Sequence, residues 1–396
     1  MLRRLPLGVA TALAAVVLAA APASPAPPAA GGTYAATATR ADASGPTAEA
    51  RRMVAEMSVA EQAASIVMGH IPTTDPAALS SYRQMSGVGG FILMGANIPG
   101  TDAELRAITA ALSADSDVPP LVAIDQEGGD VSRLPWDDFP AARALKDQPV
   151  AATSAAFRAR AALVARGGAN VNFGIVADST PDTSSFIYGR SLGAEPGEAA
   201  DRVSAAVAAE KPFVASTLKH FPGHGAAPGD SHQLIPSTDE SLGDWHRSDA
   251  LPFAAGIDAG ATLLMFGHLS YTAVDAKPAS LSPRWHEIAR DELGFDGVIV
   301  TDDLGMLQST GIPEYADPVR NAVAAVAAGS DLVLMVAHST PDTAMQLADG
   351  LTAAVDSGAI PAERLQDAAE RVMALRLELA ASGAVWASCG DCEPAD

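Results

Sequence analysis

Eight short apolar runs recur along the chain, and segments patterned as amphipathic helices separate them. Each run is apolar at most consecutive positions rather than at alternate ones, which is typical of strands buried on both faces of a parallel sheet. Parallel strands need long crossover connections, and the Ala-rich segments between the runs can supply them as helices. The runs are residues 66–68, 90–94, 121–124, 171–175, 214–218, 262–266, 298–301 and 331–335.

Eight strand–helix units in a chain of 396 residues predict an α/β fold, a single-domain (β/α)8 barrel of the TIM type. The barrel is expected to span residues 49–386, with a helix over residues 361–380 that closes it. The alternative is an open doubly wound sheet, whose first strand commonly leads into a glycine-rich dinucleotide-binding turn. No such turn follows residues 66–68, which weakens this alternative.

The two ends of the chain differ in composition from the predicted barrel. Two arginines precede an apolar stretch and several small residues, so residues 1–25 are expected to be a secretory signal peptide. Residues 26–48 are rich in Ala, Pro, Gly and Thr and predict a disordered leader. Residues 387–396 form an acidic tail, in which Cys389 and Cys392 are expected to form a local disulfide.

Composition narrows the classes of function. The net charge of -22 argues against a nucleic-acid partner, because such partners need a basic face. The chain is 48% hydrophobic and 18% charged, which is typical of a globular protein. Beyond the signal peptide, no segment of the sequence is long and apolar enough to be expected to span a membrane.

Polar side chains follow four of the apolar runs, where the strands would leave the sheet. In a barrel such strand ends open onto one face, and active sites lie there. An isolated aspartate–arginine pair would more often be a simple ion pair, but polar residues from four strands indicate a shared site. These residues are Asp125 with Arg133 after the third run, Lys219 and His220 after the fifth, His268 after the sixth, and Asp302 and Asp303 after the seventh.

The densest polar motif runs from Lys219 to Gly225, and Asp230-Ser231-His232 follows it closely. His220 and His224 have the spacing of a zinc-binding helix, but the Pro-Gly pair between them would break a helix, so no metal site is expected. In the second motif an extended backbone would place the aspartate and the histidine on one side, where the carboxylate can fix the imidazole tautomer for proton transfer. Alone, this motif would more often be an ordinary surface loop. Ser231 lacks the strand-to-helix turn of a serine hydrolase nucleophile.

These motifs resemble those of the single-domain β-N-acetylglucosaminidases of glycoside hydrolase family 3, over about residues 57–379. The motif from Lys219 to Gly225 with Asp230-Ser231-His232 is the most specific part, and four other segments support it: 124–129, 170–173, 189–193 and 300–306. The resemblance implies that Asp302 is the nucleophile and that His232 is the acid/base, with Asp230 as its partner. It implies that the sugar is held by Asp125, Arg133, Arg190, Lys219 and His220.

The resemblance further implies retaining hydrolysis through a covalent glycosyl-enzyme, with no cofactor and no metal. The expected substrate is a terminal β-linked N-acetylglucosamine on peptidoglycan fragments or chitooligosaccharides, and the protein is expected to be a monomer, secreted or associated with the cell wall. Asp130 stands where the family often has a basic residue, which leaves fine substrate preference open. The alternatives are a β-glucosidase or other β-glycosidase of the same family, a phosphorylase, and a non-catalytic sugar-binding protein.

Overall fold

The computed structural model describes residues 45–114 and 116–382. Eight strands form one sheet in which every pair is parallel, in the order β10-β1-β2-β3-β4-β5-β7-β9, and β6 and β8 form a separate two-stranded sheet. The strands are β1 (Val67–Gly69), β2 (Gly90–Leu93), β3 (Leu121–Ile124), β4 (Val171–Val176), β5 (Ala215–Phe221), β6 (Ser237–Thr238), β7 (Leu263–Phe266), β8 (Ser270–Tyr271), β9 (Val298–Thr301) and β10 (Val333–Leu334).

Helices connect the strands. They are α1 (Pro46–Glu56), α2 (Val59–Ser65), α3 (Pro76–Ser86), α4 (Asp102–Ser113), α5 (Ala142–Leu145), α6 (Val150–Arg166), α7 (Pro196–Glu210), α8 (Leu242–Trp245), α9 (Ala250–Asp258), α10 (Pro283–Glu287), α11 (Leu304–Ser309), α12 (Pro318–Ala328), α13 (Thr343–Asp356) and α14 (Ala362–Ser382). A π-helical turn, Ile288–Glu292, continues α10, and short 3-10 turns cover Gly95–Asn97, Ala279–Leu281 and Pro313–Tyr315.

The two edge strands of the large sheet approach each other. Val300 of β9 and Leu332, just before β10, form a parallel bridge, and the backbone N–H groups of Asp331 and Leu332 donate to the carbonyl of Ile299. The sheet is therefore a nearly closed eight-stranded parallel barrel with helices around it. The predicted α/β barrel class is confirmed, and the open doubly wound alternative is wrong.

All eight apolar runs form barrel strands, and β3 and β9 have the predicted bounds. The main difference is at the end of β5, which continues three residues beyond the predicted end, to Phe221. Its neighbours account for this extension, because Val176 of β4 pairs with Lys219 and Phe266 of β7 pairs with Phe221. Lys219 and the residue after it therefore lie within the strand rather than after it.

An aromatic cluster packs against the end of β5. The ring of Phe221 lies 5.9 Å from Trp245, 5.3 Å from Phe253 and 5.7 Å from Trp285, and each pair is close to perpendicular. Such pairs contribute about 0.5–1.5 kcal/mol each beyond the area that they bury. The indole N–H of Trp245 also donates to the carbonyl of Pro222 at 2.8 Å. These contacts fix the segment that carries the densest polar motif.

The start of the barrel region differs from the predicted boundary. Helix α1 begins at Pro46, so the last residues of the leader predicted over 26–48 belong to its first turn, where proline is favoured. The predicted signal peptide, residues 26–44 of that leader and the tail with Cys389 and Cys392 lie outside the described residues. None of the helices in the described part is both long enough and apolar enough to cross a bilayer.

Candidate active site

A cavity of about 330 Å³ opens at the C-terminal ends of the barrel strands. Apolar side chains from β2, β7, β10 and α11 line one part of it. Seven of the eight residues predicted for the site line the cavity: Asp125, Arg133, Arg190, Lys219, His220, His232 and Asp302. A larger cavity, of about 570 Å³, lies at the other end of the barrel between α1, α14 and the start of β9. We take the smaller cavity as the candidate site, because barrel active sites lie at the C-terminal strand ends.

Asp125 joins two cations at the end of β3. Its Oδ1 accepts from Lys219 Nζ at 2.9 Å, and its Oδ2 accepts from Arg133 Nη2 at 3.2 Å. Burial opposes ionisation of this carboxyl, but the charges of Lys219 and Arg133 outweigh it and lower the pKa of Asp125 to about 2. The carboxylate is therefore ionised across the ordinary pH range and holds both cations at the cavity wall.

Glu127 is a member of the site that sequence reasoning missed. Its carboxylate accepts two hydrogen bonds from Arg190, at 2.9 Å from Nε and 2.7 Å from Nη2, and Lys219 Nζ lies 2.7 Å from Oε1. Burial opposes its ionisation, but Lys219 and Arg190 lower the pKa of Glu127 overall. The same two carboxylates, on Asp125 and Glu127, raise the pKa of Lys219 against its burial. The sequence contained one indication that Glu127 belongs to the site, because it follows Asp125 by two residues in the same motif.

Asp178, also missed, orients His220. Asp178 is wholly buried, and its Oδ2 lies 2.7 Å from His220 Nδ1. We assign the ring proton to Nδ1, because a carboxylate can only accept there. His220 Nε2 then lies 3.4 Å from Arg190 Nη2. Burial and the charge of Arg190 lower the pKa of His220 well below its usual range, so this imidazole is neutral at the cavity wall.

The adjacent carboxylates Asp302 and Asp303 have different surroundings. Both oxygens of Asp303 bind the backbone. Its Oδ1 accepts from the N–H groups of Gly305 and Val336 at 2.9 and 2.8 Å, and its Oδ2 accepts from the N–H of Ala337 at 2.8 Å. Asp302 lines the cavity, and within the described residues its side chain accepts one hydrogen bond, from the backbone N–H of Asp303 at 2.8 Å. One of its oxygens is thus available to a ligand.

The electrostatic surroundings of Asp302 favour its ionised form. Burial opposes ionisation, but His268, the backbone N–H of Asp303 and the charge of Lys219 outweigh it, which lowers the pKa of this carboxyl. His268 is itself fixed, because its Nδ1 lies 2.7 Å from Ser280 Oγ and its Nε2 lies 2.9 Å from the carbonyl of Asp303. Asp302 is therefore a carboxylate at neutral pH on a rigid strand end.

His232 reaches the cavity from an exposed turn. Its side chain is 62% exposed, and its Nδ1 lies 2.6 Å from Asp230 Oδ1. The extended backbone predicted here is wrong, because Gln233 and Leu234 donate their backbone N–H groups to the carbonyl of Asp230 and form a turn. The side chain of Asp230 accepts the backbone N–H of His232 at 3.0 Å, as in an Asx-turn. The turn brings the two side chains together, although Asp230 itself does not line the cavity.

Over residues 45–114 and 116–382, no group of three or more His, Cys, Asp or Glu side chains is arranged to hold a metal ion. The rings of His220 and His224 lie 6.0 Å apart at an angle of 82°, and they belong to a strand end and a turn rather than to a helix. This geometry differs from that of a helical zinc pair, whose two imidazoles project from one face.

The sequence of this chain is similar to those of proteins whose family is known. Residues 60–375 match the model of the glycosyl hydrolase family 3 N-terminal domain. The β-hexosaminidase of Chromobacterium violaceum is 35% identical over 287 residues, which cover 67% of this chain and 79% of that protein. The β-hexosaminidase of Pseudomonas aeruginosa is 40% identical over 259 residues, which cover 63% of this chain and 75% of that protein.

The fold of this chain is also similar to that of a solved family 3 structure. The structure of a glycoside hydrolase family 3 β-N-acetylglucosaminidase from Paenibacillus sp. superposes with a TM-score of 0.76 and 30% sequence identity, covering 86% of this chain and 66% of that one. The family model covers most of the barrel, including every strand of the large sheet. This chain therefore belongs to glycosyl hydrolase family 3.

Proposed function

We propose that this family 3 glycoside hydrolase is an exported, retaining exo-β-N-acetylglucosaminidase. One observation carries the proposal: Asp302 presents a carboxylate oxygen to a cavity that is also lined by an imidazole and by three cationic side chains. A nucleophile, a proton donor and groups that bind hydroxyls are what retaining glycoside hydrolysis needs.

In the first step Asp302 attacks the anomeric carbon and forms a glycosyl ester. Protonated His232 gives its proton to the departing glycosidic oxygen, and Asp230 orients the imidazole through the contact at Nδ1. In the second step the neutral imidazole takes a proton from water, and that water displaces the Asp302 carboxylate. Atoms and charges balance, because the proton given in the first step is replaced in the second.

The polar side of the cavity would hold the sugar hydroxyls. Asp125 can accept hydrogen bonds there, while Lys219, Arg190 and Arg133 can donate. Arg133 lines the cavity with a side chain that is 27% exposed, so it is open to a ligand. A volume of about 330 Å³ is near the small end of the ~300–1,000 Å³ range of ligand sites, which supports binding of a single terminal sugar.

The names of the relatives support N-acetylglucosamine as that sugar, since they are a β-N-acetylglucosaminidase and two β-hexosaminidases. Substrates of this kind are peptidoglycan fragments and chitooligosaccharides. Export is proposed from the N-terminal sequence alone, in which two arginines precede an apolar stretch and small residues. It would place the enzyme in the medium or at the cell wall.

Phosphorolysis is the second candidate, and the acid/base residue is the observation that favours it. An imidazole does not repel an anionic acceptor as a second carboxylate would. The test is release of p-nitrophenol from the β-N-acetylglucosaminide and from the β-glucoside, each with and without phosphate. We expect hydrolysis of the first substrate at least ~100-fold faster than of the second, unchanged by phosphate and with the β-anomer as first product. A preferred glucoside, a sugar phosphate product or an α-anomer would each contradict the proposal.

A further inference from the structure

Gln126 is wholly buried behind the cavity, and its side-chain amide is saturated with hydrogen bonds. Its Oε1 accepts the backbone N–H groups of Arg133 and Leu134, both at 2.9 Å. Its Nε2 donates to Ser132 Oγ at 2.7 Å and to Asp137 Oδ2 at 2.6 Å. An amide has two acceptor sites and two donors, so all of them are used.

These hydrogen bonds clamp a turn that lies between Asp125 and Arg133. The backbone N–H groups of Glu127 and Gly128 donate to the carbonyl of Val131 at 3.1 Å, and the chain reverses direction there. Gln126 precedes the turn and binds the backbone that returns from it. The turn thereby brings the side chain of Arg133 back to Asp125, 3.2 Å from its Oδ2.

A buried ion pair fixes the orientation of the Gln126 amide. The side chains of Asp137 and Arg160 are both 0% exposed, and Arg160 Nε donates to Asp137 Oδ2 at 2.6 Å. Arg160 also donates to the carbonyls of Phe139 and Pro140, both at 3.2 Å. Because the carboxylate of Asp137 can only accept, the amide nitrogen of Gln126 must face it and the amide oxygen must face the turn.

We propose that Gln126 is a positioning residue for Arg133 and that the Asp137–Arg160 pair holds Gln126 in place. The inference rests on the sugar-binding role proposed above for Arg133. A displacement of about 1 Å in a substrate-positioning group can cost on the order of 100-fold in rate, so the clamp matters although Gln126 does not touch the cavity.

Gln126→Glu tests the proposal, because the new carboxylate has no hydrogen to donate to Asp137. We expect kcat/KM for p-nitrophenyl β-N-acetylglucosaminide to fall about 10- to 100-fold. Gln126→Met, which can neither accept from the turn nor donate to Asp137, should lower kcat/KM by a similar factor. Gln84→Glu, on the exposed face of α3, is the matched control and should leave kcat/KM unchanged.

Arg133→Ala separates positioning from a general effect on the fold. In that background Gln126→Glu should lower kcat/KM by less than about 3-fold, because two residues that act through one contact are not additive. An equal fall in both backgrounds, or no fall in Gln126→Glu, would overturn the inference. A fall in Gln126→Glu alongside an unchanged Arg133→Ala would overturn it too and would also remove the proposed role of Arg133.

Hydrogen exchange gives a readout that does not depend on the enzyme assay. In Gln126→Met, which loses the acceptor, the backbone amides of Arg133 and Leu134 should exchange faster while those of β3 do not. Unchanged exchange at both positions would overturn the inference. Should Gln126→Glu fail to fold, Gln126→Met takes its place in the kinetic assay, and an unchanged kcat/KM in that protein would count against the proposal.

Discussion

At the scale of single residues, Asp302 and Asp303 show how hydrogen bonding divides two neighbouring carboxylates. Three backbone N–H groups occupy the oxygens of Asp303 and tie the end of β9 to the segment after β10. Asp302 keeps an oxygen directed to the cavity. In the sequence only the family resemblance separates the two, by implying that Asp302 is the nucleophile, because both follow the same apolar run.

We therefore expect Asp302→Ala to lower kcat by several powers of ten while the free energy of unfolding changes by less than about 1 kcal/mol. Asp303→Ala should instead lower the free energy of unfolding by roughly 2–4 kcal/mol, since three partly buried N–H groups lose their acceptor. Steady-state kinetics and urea unfolding of both variants give the comparison. Near-normal turnover in Asp302→Ala, with a folded but inactive Asp303→Ala, would transfer the nucleophile to Asp303.

The second prediction concerns His232 and the leaving group. Its replacement by alanine should slow the glycosylation step strongly for natural β-linkages and much less for aryl substrates with good leaving groups, because the latter need little protonation. Pre-steady-state rates across a series of aryl leaving groups measure this difference. Azide should restore the second step of His232→Ala and give a β-configured glycosyl azide.

Asp230→Ala is the companion variant, and it should show a weaker form of the same pattern. The imidazole remains in that protein but loses the contact at Nδ1 that orients it. Equal slowing of good and poor leaving groups in His232→Ala, without rescue by azide, would leave His232 as a binding or structural residue.

At the scale of elements, the strands of the large sheet were predictable and the contacts behind the site were not. A run such as 298–300 is apolar at every position because both faces of its strand are buried, so the sequence itself indicates the strand. The pairing of Glu127 with Arg190 joins residues 63 apart, so it depends on how two loops meet. The turn at Asp230 was missed because the spacing of Asp230 and His232 was interpreted as extended backbone, whereas both the carbonyl and the side chain of Asp230 accept backbone N–H groups and reverse the chain.

The buried carboxyl group of Asp249 lies against the turn at Gly223, near the partly buried Glu240. Glu240, Asp178 and Tyr271 all lie within electrostatic range of Asp249. Burial, with the charge of Glu240, raises the pKa of Asp249 to about 8. The folded protein thus holds a proton at Asp249 that the unfolded chain releases near its ordinary pKa of about 3.9.

This carboxyl group gives a prediction about stability and pH. The proton stabilises the fold fully below about pH 4, and that contribution is lost as the pH rises through about 8. Asp249→Asn is neutral without a proton, so its free energy of unfolding should exceed that of the parent protein by roughly 2 kcal/mol or more at pH 9. The advantage should disappear at pH 4. Urea unfolding at both values measures it.

Asp258→Asn on the exposed end of α9 is the matched control and should change stability little at either pH. An Asp249→Asn protein that is less stable than the parent protein at pH 9 would show that Asp249 is bound as a carboxylate and not as a protonated acid.

At the scale of the whole molecule, eight apolar runs were enough to predict the barrel, because a parallel sheet with helices on its outer side has few alternatives of this length. The sequence also predicts that the protein leaves the cell and loses about its first 25 residues. N-terminal sequencing of protein recovered from the culture medium checks this. An intact Met1, or protein found only inside cells, would contradict it.

The ion pairs around Asp125 and Glu127 determine how strongly substrate binding responds to ionic strength. Lys219 and Arg190 are nearly buried, and each contacts a carboxylate at 2.9 Å or less. Mobile ions screen buried pairs much less than exposed ones. The KM for an uncharged chitooligosaccharide should therefore be almost the same in dilute buffer and in molar sodium chloride. An enzyme with this arrangement could act in fresh water and in brine without any change to its binding site.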